Sequence, residues 1–477
     1  MEGRRNRKHF KIRYLILGIL VFVLYVLLGT IISYIRQPKV SREYKKSFDA
    51  ADCYSDTVCS DRACIIEDNV DGLEERLKML EQAENRIILS TFDFHADQSG
   101  KDVIAALIHA ARRGVDVKVL VDGFSAFQQM DGNEYFYALS SEKNVEVRIY
   151  NRINLLTPWK SMGRLHDKYL IVDDDLYMLG GRNTYDYFLG DNGYKNYDRD
   201  VLVYTGNPDD ESSIHQLESY FDSVWDLDVC KKFSTTSWRV RAKDVTRAKE
   251  ELEARYQEII KNNPALKEKP DYQSMTFETG KITLLSNPTH VYAKEPTLFY
   301  ALTSLMKDTD EEIAIHTPYI ICNDWMYQEF ESVCEANENV LLMTNSVANN
   351  GNPFGASDYR KNKGKLLDTG LEIHEYEGGV SYHGKSITIG DDLAIVGSFN
   401  MDMRSAYLDT ELMLVIDSKE VTKQLRGYMK SYEDDSVQAL PDGTYNIPEG
   451  VTRQKISKSR ENRIKLLTPF NWMRFLM

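Results

Sequence analysis

The stretches HDKYLIVDDDLYMLGGRN at 166–183 and HGKSITIGDDLAIVGSFN at 383–400 repeat one polar pattern at an offset of 217 residues. In each copy a Lys follows two residues after a His, a Gly follows twelve residues after that Lys, and an Asn follows three residues after that Gly. A lone His-x-Lys carries little information, but two copies with the same later Gly and Asn indicate a duplicated unit. We therefore expect the two halves to form one site from His166, Lys168, Asn183, His383, Lys385 and Asn400.

The apolar pattern around the repeats predicts the same α/β arrangement in both halves. In the first half, an amphipathic helix at 102–113 ends at Gly114, and an alternating strand follows at 115–121. In the second half, a helix at 325–336 is followed by a strand at 339–343. Each His-x-Lys also leads into an apolar, strand-like run. Such alternation predicts two homologous α-β-α lobes, here related by a pseudo-two-fold axis.

The chain divides into seven predicted segments. They are a basic tail at 1–13, a transmembrane helix at 14–35, a juxtamembrane segment at 36–63, a first lobe at 64–235, a helical linker at 236–275, a second lobe at 276–425 and a basic C-terminal tail at 426–477. The tail from 452 mixes basic and apolar residues, which fits either an interfacial membrane segment or a final helix packed on the core.

The N-terminal region predicts a membrane anchor. Residues 14–35 form an uncharged run of 22 residues between Arg13 and Arg36, long enough to span the hydrocarbon core. A signal peptide has a shorter apolar run, and a soluble helix is rarely apolar all round over this length, so we expect a retained helix. Six Lys or Arg precede the run and five follow it closely. The positive-inside rule therefore favours, by a small margin, a cytoplasmic N-terminus and an extracytoplasmic body.

The charge distribution also indicates a membrane protein. Residues 1–46 carry a net charge of +9 and residues 452–477 carry +6, so the rest of the chain carries about −29 once both ends are subtracted from the total of −14. Basic ends are attracted to anionic lipid, by about 1 kcal/mol for each Lys or Arg near the surface. An acidic body disfavours a nucleic-acid partner, because nucleic-acid enzymes need a basic footprint.

The cysteines leave several alternatives open. Cys53, Cys59 and Cys64 cluster just after the predicted anchor, whereas the other three are scattered. The cluster could hold a disulfide if the body lies outside the cytoplasm, or it could consist of unpaired thiols. Zinc binding is disfavoured, because the spacings are not of the Cys-x2-Cys type and no His lies nearby.

The repeated residues suit phosphoryl chemistry without a metal. One imidazole can attack phosphorus while the other protonates the departing alkoxide, and lysines and asparagines can hold the non-bridging oxygens. A neutral imidazole nucleophile also needs an acceptor for its second nitrogen. Each half offers a carboxylate at the start of an apolar run: Asp198, which we favour over Asp200, and Glu411.

These motifs resemble the phospholipase D superfamily, whose pattern His-x-Lys-x4-Asp-x6-Gly-(Gly/Ser)-x-Asn occurs twice. The first copy fits throughout, with Asp173 at the acidic position, whereas the second has Gly390 there and Asp391 after it. Segments around 180–202, around 344–360 and from Gly397 to Ser405 are similar to bacterial cardiolipin synthases. The last segment contains Arg404 and Ser405, which we assign as supporting residues.

The resemblance implies a membrane-anchored phosphatidyltransferase with no metal or other cofactor. His166 would form a phosphatidyl-histidine, and His383 would serve as general acid and then as base for an acceptor alcohol. The acceptor implied is phosphatidylglycerol, which would make the enzyme a cardiolipin synthase acting on phospholipid substrates. A phospholipase D that hydrolyses phospholipid to phosphatidic acid shares every catalytic residue and is the alternative. A nuclease and an inactive membrane scaffold are less favoured, and the oligomeric state is left open.

Overall fold

A computed structural model describes residues 2–208 and 211–477, with side chains from residue 12 onwards. The structure describes a first helix, α1 (Glu2–Tyr34), whose part Ile12–Tyr34 is long and apolar enough to cross a membrane. Its most apolar window is not buried by the rest of the protein, whereas Tyr34 at its end is buried. The side chains of the predicted basic tail before residue 12 lie outside the described residues. The anchor helix thus agrees in position with the apolar run at 14–35.

Two nine-stranded mixed sheets follow, with strands numbered along the chain. The first has the spatial order β10 (Phe277–Glu278), β1 (Asp61–Ile66), β8 (Asp200–Thr205), β6 (Leu176–Gly180), β5 (Tyr169–Val172), β2 (Arg86–Thr91), β3 (Asp116–Asp122), β4 (Val145–Tyr150) and β9 (Cys230–Lys232). The second has the order β11 (Lys281–Ser286), β20 (Leu412–Asp417), β18 (Leu393–Gly397), β17 (Ser386–Ile389), β12 (Ile313–His316), β14 (Val340–Asn345), β15 (Glu372–Tyr376), β21 (Ser436–Ala439) and β22 (Tyr445–Asn446). Two short parallel pairs join β7 (Asn196–Tyr197) to β16 (Ser381–Tyr382) and β13 (Ile320–Ile321) to β19 (Met401–Asp402).

Helices cover these sheets. They are α2 (Arg42–Ser47), α3 (Asn69–Gln82), α4 (Gln98–Arg113), α5 (Gly123–Ser125), α6 (Glu134–Ser140), α7 (Ser213–Trp225), α8 (Ala242–Asn262), α9 (Tyr272–Met275), α10 (Thr297–Lys307), α11 (Asp324–Ala336), α12 (Pro353–Leu367), α13 (Met403–Tyr407), α14 (Lys419–Asp434) and α15 (Lys458–Leu467). Short 3-10 helices span Ala50–Cys53, Pro158–Lys160, Pro264–Lys267 and Thr468–Leu476, and a π-helical turn spans Ala126–Met130.

The two sheets share one topology. Strands β1, β8, β6, β5, β2, β3, β4 and β9 occupy the same successive places in the first sheet as β11, β20, β18, β17, β12, β14, β15 and β21 do in the second. In each lobe three parallel strands lie beside an antiparallel hairpin, β5–β6 or β17–β18, that follows the His-x-Lys motif. This duplication confirms the predicted α/β fold with two homologous lobes.

The lobes are joined by a common core as well as by the chain. One cluster of buried apolar residues includes Val203 of the first sheet, Val396 of the second, and Phe221 and Leu425 from helices α7 and α14. Each lobe also has a separate core on the other side of its sheet. Because apolar side chains of both sheets leave water together in the shared core, its burial fixes one lobe against the other.

Helix α4 shows how the local sequence determines where a helix begins and ends. Its N-cap Asp97 accepts a hydrogen bond from the backbone N–H of Gly100, and Gly114 ends it with a left-handed φ of 107°. The buried residues Ile104, Leu107 and Ile108 recur at helical spacing and face the core of the first lobe. The helix therefore begins four residues before the predicted one and ends at the predicted glycine.

The lobes extend past the boundaries expected from sequence. Helix α8 of the predicted linker buries Ala248, Leu252 and Tyr256 in the core of the first lobe, so it forms part of that lobe's helical layer. Strand β10 pairs with β1, and helix α14 runs through the expected end of the second lobe at 425. Strands β21 and β22 then add to the second sheet. The true tail begins after β22.

The C-terminal tail packs on the second lobe. The tail buries Ile464, Phe475 and Leu476 against the second lobe while other apolar side chains of the same segment stay exposed, so it is a final helix packed on the core with an outward apolar face.

All six cysteines are free thiols in the structure. Cys53 and Cys64 are buried in different lobes.

The position at which the second motif departs from the pattern is a turn. Asp173 has a left-handed φ of 51°, and Gly390 has a φ of 54° in the equivalent turn after β17. The Asp173 carboxylate accepts hydrogen bonds from the backbone N–H groups of Glu84, Asn85 and Arg86 at 2.7–2.9 Å. Asp173 thus ties its hairpin to the start of β2, whereas glycine satisfies the left-handed turn without that link.

Replacing Asp173 with Ala removes these three charge-assisted hydrogen bonds and leaves a β-carbon at a left-handed φ. We expect a loss of about 2 kcal/mol in the free energy of unfolding, measured by thermal or denaturant unfolding of the full chain in detergent. Asp391→Ala, in the exposed turn after Gly390, is the control and should change stability by less than about 0.5 kcal/mol. Equal losses for both variants would contradict this role for Asp173.

Candidate active site

Each repeated histidine follows a short strand contact between the two lobes. Leu165 forms a parallel bridge with Thr410, and the β7–β16 pair aligns Tyr197 with Tyr382. The backbone N–H of His166 donates to the Thr410 hydroxyl at 3.1 Å, and that of His383 donates to the Tyr197 carbonyl at 2.6 Å. Each histidine is therefore placed by the lobe to which it does not belong.

The carboxylates pair with the histidines across the lobes. Nδ1 of His166 lies 2.8 Å from Oε1 of Glu411, and Nδ1 of His383 lies 2.6 Å from Oδ2 of Asp198. The sequence predicted one carboxylate acceptor in each half. In the structure, the carboxylate of each half pairs with the histidine of the other half. Asp200 instead faces Arg182 and Arg76, each at 2.9 Å, so it serves a buried structural ion pair.

Different neighbours hold the two carboxylates. Glu411 accepts hydrogen bonds from the hydroxyls of Ser405, at 2.6 Å, and Ser398. In the first lobe Gly181 takes the place of Ser398, and a β-carbon at Gly181 would collide with the Asp198 carboxylate. Gly181 is thus needed for space, since its φ is not positive. The sequence singled out Ser405 but missed Ser398, although Ser398 lies inside the repeated Gly-(Gly/Ser)-x-Asn.

The lysines lie beneath the histidines. Strand β5 begins only at Tyr169, so His166 and Lys168 precede it, and the Lys168 side chain is almost fully buried. Its Nζ turns back to donate to the His166 carbonyl at 2.5 Å. Lys385 likewise donates to the His383 carbonyl, and its Nζ lies 3.5 Å from Oδ2 of Asp198. Two lysines therefore underlie the site, and burial lowers the pKa of both, that of Lys168 to about 7.

The two repeated asparagines, Asn183 and Asn400, differ in their surroundings more than the histidines and lysines do. Asn183 lines the cavity between the lobes, and its Oδ1 accepts from the backbone N–H of Asp93 at 3.2 Å, which leaves its amide group for other partners. Asn400 is buried, with Nδ2 3.4 Å from the Tyr319 hydroxyl. Its Oδ1 has no hydrogen-bond partner among the described residues.

Both histidines open onto one cavity of about 530 Å³ between the lobes. Phe92 contacts the His166 ring and Phe188 contacts the His383 ring, with centroids 5.3 and 4.9 Å apart. The rest of the wall is rich in tyrosine and asparagine and includes Arg460 from the C-terminal tail. The sequence analysis did not assign these residues to the site. Phe188 could have been found, because it lies five residues after Asn183 of the first motif, but no sequence pattern distinguishes Arg460.

Burial and neighbouring cations keep both imidazoles neutral. Burial, reinforced by Lys168, holds the pKa of His166 well below its usual range, and burial with Lys385 lowers the pKa of His383 to about 4. Burial also raises the pKa of Glu411 to about 7. For Asp198, burial favours the neutral acid, but Lys385 and the His383 hydrogen bond outweigh it and hold the pKa below its usual range.

This arrangement can support nucleophilic and acid–base chemistry. Nδ1 of each ring is directed at a carboxylate, and Nδ1 of His383 also lies 2.6 Å from Nζ of Lys385. With Nδ1 engaged in both rings, Nε2 is the nitrogen that can react. A neutral imidazole can attack an electrophile, and the firmly ionised Asp198 can stabilise a proton on His383. Among the described side chains, those of residues 12–208 and 211–477, no group of three or more His, Cys, Asp or Glu could hold a metal ion.

The remaining supporting residues act at a distance from the cavity. Nε of Arg404 lies 2.8 Å from Asp409, whose other oxygen accepts from the backbone N–H of Arg164 at 3.2 Å. Arg404 therefore fixes the segment that leads to His166. Strand β17 separates Asp391 from the site. Lys385 precedes the first residue of the strand, whereas Asp391 lies in the exposed turn after its last residue, so Asp391 is at the far end of the strand and outside the site.

Comparison with known proteins identifies the class that this fold and site define. A solved structure titled phosphatidylserine synthase from Haemophilus influenzae Rd KW20 matches with a TM-score of 0.63 and 15% identity, over 87% of this chain and 95% of that chain. A family model described as "Cardiolipin synthase, PLD-like domain" matches residues 77–225 and 302–432, which include both motifs. The chain belongs to this family of the phospholipase D superfamily.

Individual relatives agree with the family. "Cardiolipin synthase C" of Escherichia coli K12 is 24% identical over 86% of this chain and 95% of its own length. "Cardiolipin synthase 1" of Staphylococcus aureus MRSA252 is 25% identical over 84% of this chain and 72% of its own length. An uncharacterized protein of Helicobacter pylori 26695 is 24% identical over 78% of this chain and 80% of its own length. Together these matches support a phospholipase D-type phospholipid synthase, and the apolar helix fits a single-pass membrane protein.

Gly181→Ala tests whether the glycine makes room for the carboxylate. The added methyl group would displace the Asp198 carboxylate from His383, and we expect turnover to fall about 100-fold, as for loss of a positioned acid–base group. Turnover would be measured by phospholipid product analysis, with thermal unfolding to confirm a folded chain. Gly427→Ala is the matched control, because its β-carbon would meet nothing within 4 Å on helix α14. Full activity in Gly181→Ala would contradict the packing argument.

Proposed function

We propose that this protein is a cardiolipin synthase, which transfers a phosphatidyl group from one phospholipid to phosphatidylglycerol through a phosphatidyl-histidine intermediate. The observation that carries the proposal is the pair of neutral imidazoles, each backed by a carboxylate of the opposite lobe, at one cavity. The proposed catalytic residues are His166, Lys168, Asn183, Asp198, His383, Lys385, Asn400 and Glu411, with Ser398 and Ser405 as positioning residues.

In the first step, Nε2 of His166 attacks the phosphorus of the donor lipid. The phosphorus–oxygen bond to the head-group alcohol breaks as the phosphorus–nitrogen bond forms, and His383 gives its proton to the departing oxygen. The approach of the anionic phosphate favours the protonated form of His383, and Asp198 supports it. His166 is assigned as nucleophile because its partner Glu411, with a pKa near 7, favours a neutral ring over an imidazolium.

In the second step, the acceptor hydroxyl replaces the first alcohol. Neutral His383 takes the proton of the terminal hydroxyl of phosphatidylglycerol, the oxygen attacks phosphorus, and the bond to Nε2 of His166 breaks. The product is cardiolipin, and both histidines return to their starting states. The buried Lys168 and Lys385 offset the negative charge that grows on the phosphate oxygens, and the cavity-lining Asn183 can donate to them.

The position of the anchor helix α1 next to the first lobe supports the proposal that the substrate is a lipid. The Tyr34 hydroxyl at the end of helix α1 donates to the Trp159 carbonyl at 2.8 Å, which ties the helix to the loop 152–160 of the first lobe. Leu155 and Leu156 are exposed in that loop. An exposed apolar loop beside the end of a spanning helix suits contact with the bilayer interface. The body would therefore sit on the membrane surface.

Product analysis tests the reaction. Purified full-length protein in phosphatidylglycerol vesicles should form cardiolipin and release glycerol, as measured by lipid mass spectrometry. His166→Ala and His383→Ala should each lower the rate by at least about 1,000-fold, because each removes a reacting group. His215→Gln, at a half-exposed histidine of helix α7, is the control and should retain activity. Phosphatidic acid without cardiolipin would reject the synthase in favour of the hydrolase.

We further propose that the N-terminus is cytoplasmic and the body extracytoplasmic, on the basis of the charge bias around the anchor. Protease added to intact cells should then digest the body and leave an N-terminal tag protected. The control is the same treatment after permeabilisation, which should expose the tag as well. A body that resists protease until the cells are permeabilised would reverse the orientation.

A further inference from the structure

The C-terminal tail contributes a cation to the cavity that holds the two histidines. Helix α15 lies on the second lobe, held by buried Ile464 and by an ion pair between Glu461 and Arg360 at 2.8 Å. Its third residue, Arg460, lines the cavity. A residue from outside both predicted lobes is thus part of the active-site wall.

The charge of Arg460 is available to a ligand. Its Nη1 donates to the backbone carbonyls of Ala348 and, at 3.4 Å, Val347, which orient the guanidinium without neutralising it. Among the described residues that line the cavity, Arg460 is the sole Lys or Arg, because Lys168 and Lys385 lie buried beneath the histidines. A half-buried guanidinium held by neutral groups matches the geometry of a phosphate.

Arg460 and His383 line the same cavity, and a chain of contacts links Arg460 to the strand that precedes His383. The loop that holds Arg460 continues to Gly351, whose backbone N–H donates to the Ser381 hydroxyl at 3.2 Å. Ser381 belongs to β16, which leads directly to His383. In the proposed reaction His383 serves first the departing alcohol and then the acceptor. The glycerol that departs from phosphatidylglycerol carries no phosphate, so a second phosphate on this side of the cavity belongs to the acceptor molecule.

We propose that Arg460 binds the phosphate of the acceptor lipid while the reacting phosphate lies between the two histidines. Arg460 makes and breaks no bond; it positions the terminal hydroxyl of the acceptor near His383. The inference rests on the proposed function and adds to it a means of preferring a phosphate-bearing acceptor over water or a small alcohol.

The rest of the tail fits a lipid acceptor. Beyond Arg460, Leu466, Phe470 and Trp472 are 70%, 49% and 57% exposed, and they lie on the outward face of the same segment. Residues 452–477 also carry a net charge of +6. Apolar and basic side chains together suit an anionic lipid surface, so the segment that carries Arg460 is suited to contact the membrane that holds the acceptor.

Partition of the intermediate between two acceptors tests the proposal. Full-length protein would be assayed in phosphatidylglycerol vesicles with isotope-labelled glycerol in the buffer. Cardiolipin reports transfer to phosphatidylglycerol, and labelled phosphatidylglycerol reports transfer to glycerol, which has no phosphate. Because both products come from one phosphatidyl-enzyme, their ratio does not depend on the donor step or on the amount of active protein.

In Arg460→Gln we expect the ratio of cardiolipin to labelled phosphatidylglycerol to fall at least tenfold, with a higher apparent KM for the lipid acceptor. Arg460→Lys keeps the charge and should restore part of the ratio. Arg463→Gln, at an exposed residue of the same helix, is the matched control and should leave the ratio unchanged.

Three other results would overturn the inference. A ratio within twofold of the wild type in Arg460→Gln would show that Arg460 does not recognise the acceptor. An equal fall in both products would assign Arg460 to the donor. If the wild-type protein labels phosphatidylglycerol or releases phosphatidic acid but forms no cardiolipin, the proposed function itself fails, and the inference fails with it.

Discussion

The crossed hydrogen bonds from His166 to Glu411 and from His383 to Asp198 are the constraint on which the rest of the structure depends. Each bond joins a histidine of one lobe to a carboxylate of the other, at 2.8 and 2.6 Å. Both bonds can form together only if the lobes are held in one register. The shared core between the sheets and the short strand contacts before each histidine maintain that register. Tertiary packing thus sets the ionisation of the site.

The repeated motif was enough to predict the duplicated fold, because spacing along a hairpin is a local property, and three of its residues, His166, Asn183 and His383, line one cavity. The crossing of the pairs was not predictable, since a sequence states that a carboxylate is present but not which lobe approaches it. The role of Gly181 was also hidden. Its requirement comes from the neighbouring Asp198 side chain, which is close in space rather than in sequence.

The two halves reach similar geometry with different residues. Glu411 is one methylene longer than Asp198 and is held by two serine hydroxyls, whereas Asp198 packs against a glycine and a lysine. Burial raises the pKa of Glu411 despite its two serine hydrogen bonds, whereas Lys385 and the His383 hydrogen bond outweigh burial and lower the pKa of Asp198. Similar backbones therefore produce an asymmetric pair of histidines. The tail adds a further asymmetry, because Arg460 comes from a segment after the second lobe and has no counterpart in the repeat.

The reciprocal contacts also bear on how such a chain can arise and diverge. Two identical half-length subunits related by a two-fold axis would satisfy the same contacts, each supplying a histidine to one pair and a carboxylate to the other. Fusion of the two copies removes the entropy cost of association and frees each copy from being identical to its partner. Once fused, however, neither half keeps a complete pair by itself. A lesion in either half therefore weakens the other half's histidine, and the two must evolve together.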